Sequence, residues 1–199
     1  MIHKNTRLFI HLPESFGSIS SLEEICITGN IAALPESFGK LRSLKKLTLR
    51  SWFAVNDSQF FFEGEDYYKG PVAHFSNNFN FNALPESFGN LSSLEFFHIN
   101  GFSSLTTLPE SFGNLSSLKD LSIKGPRLES LPDSLGNLRS LEILRITSDT
   151  ITSLPNNLGD LPALKELDIE GCDVKTIPAS IQRRVDRGEL TLRMTKGES

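Results

Sequence analysis

A Leu-Pro pair returns along this chain at a nearly fixed interval, and that return limits the fold more than any other feature. The pairs begin at Leu12, Leu34, Leu84, Leu108, Leu131 and Leu154, with Ile177-Pro178 as a further start. The intervals are 22, 50, 24, 23, 23 and 23 residues. Leu84 to Leu94 and Leu108 to Leu118 both spell LPESFGNLSSL. A period of about 20 to 50 residues marks a repeat architecture, in which each unit is one supersecondary element stacked on its neighbour.

The apolar positions inside a repeat are equally regular. Leu118, Leu121, Ile123, Leu128, Leu131, Leu135 and Leu138 show the pattern once through. Leu121-Ser122-Ile123 alternates inward and outward, as a short strand does. The following Leu-Pro-x-x-Leu-Gly segment suits a helical turn. Pro132 starts it, where a missing N–H costs nothing. Gly136 ends it, where a left-handed residue is expected. One such unit buries too little to offset the entropy of ordering its backbone. Only an array is stable.

The spacing L-x-x-L-x-L-x-x-N-x-L-x-x-L-P resembles the leucine-rich repeat family over nearly all of residues 8–194 outside the long interval. The 23-residue period and the L-P-x-x-[FL]-G-x-L segment are similar to the bacterial and plant intracellular types. The resemblance implies an α/β solenoid, a right-handed superhelix with a parallel β-sheet on its concave face and short helical turns on its convex face. The whole chain, 1–199, is expected to form one such domain. Residues 1–11 would be a partial repeat or N-terminal cap, with Phe9 in phase. Residues 177–199 would be a C-terminal capping repeat whose last strand includes Leu190-Thr191-Leu192.

The family's asparagine position is held here by Asn30, Pro126, Asp149 and Cys172, so a continuous asparagine ladder is not expected. Cys172 is expected to be a buried thiol and Cys26 to face the concave side. Five repeat steps at about 4.8 Å each separate them by roughly 20 Å or more, too far for a bridge that needs Cα atoms within about 7 Å. Phe16, Phe38, Phe88 and Phe112, continued by Leu135, Leu158 and Ile181, form one row, read as stacked core.

If the repeated residues build the scaffold, function belongs to those that change. The side chains between the core leucines should face the concave surface. They run Glu24, Cys26, Thr28; Lys46, Thr48, Arg50; Phe96, His98, Asn100; Asp120, Ser122, Lys124; Ile143, Arg145, Thr147; and Glu166, Asp168, Glu170. Phe96 and Ile143 among Lys46, Arg50, His98, Asn100, Lys124 and Arg145 have the composition of an interaction hot spot. These eight are the expected partner contacts on the sheet.

The long interval breaks the period after Leu47-Thr48-Leu49. Residues 52–80 form an aromatic-rich insertion; with Phe81, the stretch holds ten of the chain's eighteen Phe, Tyr and Trp residues. A disordered linker is poor in aromatics, so a compact loop or hairpin is expected, with Phe81 returning to the core. Trp52, Phe61, Tyr67 and Tyr68 are its candidate partner contacts, and packing against neighbouring repeats is the competing role.

Other chemistries are poorly supported. The net charge of −4 argues against nucleic acid. The basic stretch 182–187 is expected to be a solvated cap. No apolar run reaches the ~18 residues of a membrane span. The four histidines, His3, His11, His74 and His98, are scattered, and no Cys-x-x-Cys or His-x-x-x-His pair occurs. Glu63-Gly64-Glu65-Asp66 lacks a full calcium ligand set. Glu166, Asp168 and Glu170 are expected to be a solvated rim. Neither catalytic residues nor a cofactor nor a metal is expected. The expected function is non-enzymatic binding of a protein partner by a monomer. A structural or adhesive surface role and a glycan-binding module are the alternatives; the sequence does not fix a compartment.

Overall fold

The computed structural model describes residues 9–51 and 81–195. Each strand between core leucines forms where the period places it. The strands are β1 (Phe9–His11), β2 (Glu24–Thr28), β3 (Asn30–Ala33), β4 (Lys46–Arg50), β5 (Phe96–Asn100), β6 (Asp120–Lys124), β7 (Ile143–Thr147), β8 (Glu166–Glu170) and β9 (Thr191–Thr195). Seven of them form one parallel sheet in the order β2-β4-β5-β6-β7-β8-β9. Register is unbroken across it. Ile25, Leu47, Phe97, Leu121, Leu144, Leu167 and Leu192 align in one inward row.

Between strands the chain returns through five-residue 3-10 turns, at Glu36–Lys40, Glu86–Asn90, Glu110–Asn114 and Asp133–Asn137 for example. Each starts after a proline whose carbonyl accepts the phenylalanine or leucine N–H three residues on, as Pro109 does from Phe112 at 3.0 Å. The rings of Phe16, Phe38, Phe88 and Phe112 stack nearly parallel at 6.0, 6.4 and 5.7 Å. Strands in a sheet lie about 4.8 Å apart. The row behind the sheet is therefore spaced more widely than the sheet itself, which makes the sheet side concave. Phe81 rejoins the core and is buried against Phe102 at 4.7 Å.

The glycine that ends each turn does a different job from the one its position implies. Among the described residues, left-handed glycines are Gly29, Gly101, Gly171 and Gly188. The first three follow strands. Gly17, Gly39, Gly89, Gly113 and Gly136 are not left-handed. Each of the first four instead lies against the serine of the next repeat's turn, so closely that a Cβ would collide with the serine's backbone carbonyl. The Oγ atoms of Ser37, Ser87, Ser111 and Ser134 are enclosed there without a hydrogen-bond partner among the described residues. Small size selects both residues.

Polar side chains also bridge successive repeats. Glu14 accepts from the Ser37 backbone N–H at 3.0 Å, and Glu36 from that of Ser87 at 3.3 Å. The Ser117 and Ser140 hydroxyls donate to the Ser92 and Ser116 carbonyls, both at 2.7 Å. The residue preceding each strand alternates in charge from β2 to β8: Glu23, Lys45, Glu95, Lys119, Glu142, Lys165. Ion pairs join them two by two, Glu23 to Lys45 at 2.8 Å, Glu95 to Lys119 at 2.7 Å and Glu142 to Lys165 at 2.6 Å. The lysine hydrogen bonds hold Glu95 and Glu142 below the usual carboxylate range.

The ends depart from the period. At the first, β1 pairs with β3 in a small second parallel sheet on the return side. Ile10, not Phe9, stands opposite the core residue Ile31, and a register shift after Ile10 restores the phase at Leu12. At the other end the turn lengthens into α1 (Ala179–Asp186). Within the basic stretch read as a solvated cap, Arg184 is largely enclosed, its side chain 16% exposed. Its guanidinium donates to the carbonyls of Leu161 and Leu164 at 2.6 Å each. Cys26 is exposed and Cys172 buried, both as free thiols. Burial raises the Cys172 pKa. At the asparagine position of its own repeat, the Asp149 N–H donates to Pro126. The neighbouring Ser148, fully buried, donates to the Leu128 carbonyl at 2.8 Å.

Candidate functional site

The register places all eight sheet candidates on one face. Three rows cross the strands. The first is Glu24, Lys46, Phe96, Asp120, Ile143, Glu166 and Thr191; the second is Cys26, Thr48, His98, Ser122, Arg145, Asp168 and Arg193; the third is Thr28, Arg50, Asn100, Lys124, Thr147, Glu170 and Thr195. Phe96 and Ile143 are half-buried rather than fully exposed. The Lys46 ammonium sits 5.8 Å from the Phe96 ring centre, within reach of a cation–π attraction.

Asp120 lies between Phe96 and Ile143 in the first row and ties the site together. His98 Nε2 is 3.2 Å from its Oδ1. Arg145 donates to both its oxygens at 3.3 Å. Arg145 also meets Glu166 at 3.3 Å, and Glu166 meets Arg193 at 3.4 Å. A chain of polar side-chain contacts thus runs from β5 to β9. Composition could not single out Asp120, because a paired and a solvated aspartate look alike in sequence. The signal was its place on the strand between those of His98 and Arg145, two residues from their common register partner Ser122.

Burial is the largest influence on the Asp120 carboxyl and works against its charge, but the contacts from His98 and Arg145 together outweigh it and leave the pKa below the ordinary value. A depressed pKa adds stability that is fully present above the unfolded value, about 3.9. That stability is lost as pH falls through the folded value. Asp120→Asn should therefore destabilise the protein at neutral pH, and the difference from wild type should shrink as pH is taken below about 4. Denaturant melts of both proteins across that range would show it; a difference that stays constant would contradict the pairing.

A cavity of about 370 Å³ opens on the same face, lined among others by His98, Ser122, Lys124, Arg145, Asp168 and Glu170. Ser122 lies beside His98 in register, but His98 directs its hydrogen bond to Asp120, and none joins it to Ser122. The described residues contain no group of three or more His, Cys, Asp or Glu placed to hold a metal, and no described helix is long and apolar enough to cross a membrane. Trp52, Phe61, Tyr67 and Tyr68 lie outside the described residues.

No family model and no curated protein matches the chain. Solved structures do. The leucine-rich repeat domain of the type III effector XopL is 23% identical with a TM-score of 0.66, over 93% of this chain and 55% of that one. The structure of PEPR1–AtPEP1 is 22% identical with a TM-score of 0.59, over 91% of this chain and 22% of that one. The leucine-rich repeat ectodomain of the Arabidopsis receptor kinase HAESA, in complex with an N-terminally extended IDA peptide hormone, is 19% identical with a TM-score of 0.59, over 96% of this chain and 33% of that one. The chain spans about half the length of the first of these and a third or less of the other two. At such identities the likeness carries architecture alone; with the seven-stranded parallel sheet and its 3-10 turns, it makes the chain a leucine-rich-repeat α/β solenoid.

Proposed function

We propose that this protein is a protein-binding module and that its partner docks on the concave face around Phe96, His98, Ile143 and Arg145. The observation that carries the reading is the arrangement at Asp120. Two half-buried apolar side chains flank a carboxylate whose charge is answered from within, by His98 and Arg145. A partner that covers this patch desolvates charges that already have partners, which costs less than burying them unpaired. Peptide complexes of structural neighbours such as HAESA support a binding role for this architecture. The aromatic insertion enters the proposal on chain position alone: it leaves the sheet just after Arg50, one strand from Phe96. The 23-residue spacing supports the bacterial and plant intracellular repeat type.

For a partner found by screening, Phe96→Ala should weaken binding by at least about tenfold, as loss of a central aromatic contact does. Arg145→Glu should do the same, since it places a third carboxylate beside Asp120 and Glu166. Calorimetric titration measures both, with circular dichroism confirming the fold. A specific partner indifferent to both changes would place the site elsewhere.

A further inference from the structure

The concave face is electrically divided along the array, from strand to strand. Toward the first strand, β4 presents Lys46 and Arg50, with Glu24 of β2 beside Lys46 in register. In the middle, the Asp120 carboxylate is paired with Arg145 and hydrogen-bonded to His98. Beside the last strand, β9, the strand β8 presents Glu166, Asp168 and Glu170. Glu166 is taken by Arg145 and Arg193. Asp168 stands beside Arg193 in register, but the Arg193 side chain bonds Glu166. The side chains of Asp168 and Glu170 carry no hydrogen bond or ion pair among the described residues, and neither does that of Arg50. The rim beside the first row cancels itself, Glu against Lys, from β2 to β8. It adds no net field to blur the two poles.

Building on the docking reading above, we infer that the partner is an extended polypeptide segment laid across the strands, acidic where it meets Lys46 and Arg50, apolar over Phe96 and Ile143, and basic where it meets Asp168 and Glu170. The spacing is set by the sheet. Four strand steps from β4 to β8, at about 4.8 Å each, span about 19 Å. An extended chain covers that distance in about six residues. The cavity of about 370 Å³ reaches Asp168 and Glu170 on its β8 side and is lined by Lys124 and Arg145 on the other. A basic side chain would enter on the β8 side, where Asp168 and Glu170 would accept its donors. The apolar centre supplies most of the affinity, and the two poles fix register and direction.

The probe is a peptide-display library of ten-residue segments selected against the full chain, followed by synthetic peptides with two Asp and two Lys set about six residues apart on either side of a Phe or Leu. Enriched sequences should carry that acidic-to-basic polarity. The synthetic peptide should bind at least about tenfold more tightly than one of the same composition with its charges interleaved. D168K/E170K should weaken it by a similar factor, as should K46E/R50E. Combining both pairs should restore binding, because the segment then lies in the opposite direction. Added salt should erode the preference. Equal binding of the interleaved peptide, indifference to the charge reversals or the recovery of no binder at all would overturn the inference. Enriched peptides that lack polarity but lose binding in Phe96→Ala would overturn it too, while leaving the concave docking site intact. Binders unaffected by Phe96→Ala and Arg145→Glu would remove the docking site itself.

Discussion

Gly113→Ala should destabilise the array by about 3 kcal/mol or more, the upper part of the range for overpacking a filled site. A methyl on Gly113 would strike the carbonyl oxygen of Ser134 in the next repeat, with Ser134 Cβ 2.7 Å and its carbonyl carbon 2.8 Å away. These are backbone and near-backbone atoms, so no rotamer change relieves the collision. The neighbouring turn would have to move as a unit. That turn is bonded through Pro132 to Leu135 at 3.0 Å, and Leu135 is fully buried. The added methyl would therefore pry two repeats apart on the convex side. Gly125→Ala is the matched comparison. It is also a buried glycine, but a Cβ there meets only the Phe102 carbonyl at 3.6 Å, an ordinary contact. Its effect should stay within about 1 kcal/mol. Denaturant melts of the two variants distinguish the roles: equal small effects would show that the turns are free to separate, and equal large ones would show that the close approach to Ser134 is not what makes Gly113 necessary.

That glycine shows where the sequence could and could not be read. The leucine and phenylalanine rows were legible because burial is periodic and each repeat restates it. The eight concave candidates followed from the same phase, since side chains in a strand alternate. The reason for the glycine was not legible. A left-handed turn end and a close approach select the same residue, and only the neighbour Ser134 separates them. The alternating row from Glu23 to Lys165 was present in the sequence but becomes visible only when the residues preceding each strand are lined up by register. Asp120 was hidden for a similar reason: its partners His98 and Arg145 are distant in sequence and adjacent only across the sheet. The small β1–β3 sheet was missed because Phe9 and Ile10 both fit an apolar position, and a register shift decides between them.

Arg184→Met should cost about 2–3 kcal/mol, the scale of a charged hydrogen-bond donor lost from carbonyls that water reaches poorly. In the interior of the array, the loop before each strand is held by the next repeat, as the Ser117 and Ser140 hydroxyls hold the Ser92 and Ser116 carbonyls. The loop before β8 is covered instead by α1, whose Arg184 guanidinium reaches back to Leu161 and Leu164 at 2.6 Å and, more weakly, to Gly159 at 3.4 Å. Glu189 stands 3.8 Å from the same group and offsets part of its charge. Methionine keeps much of the side-chain stem but leaves those carbonyls unpaired beneath α1. The loss should appear first at the end of the solenoid, because each repeat is supported only by its neighbours. Backbone amides of residues 161–186 should then exchange with solvent faster while those of β4 to β6 keep their protection. Arg183 and Arg187 are exposed on the same helix and its end, so Arg183→Met and Arg187→Met should change stability by less than about 0.5 kcal/mol. If all three substitutions cost the same small amount, the basic stretch acts only as a solvated surface and the end of the core is closed by apolar packing of Ile181 and Leu190 alone.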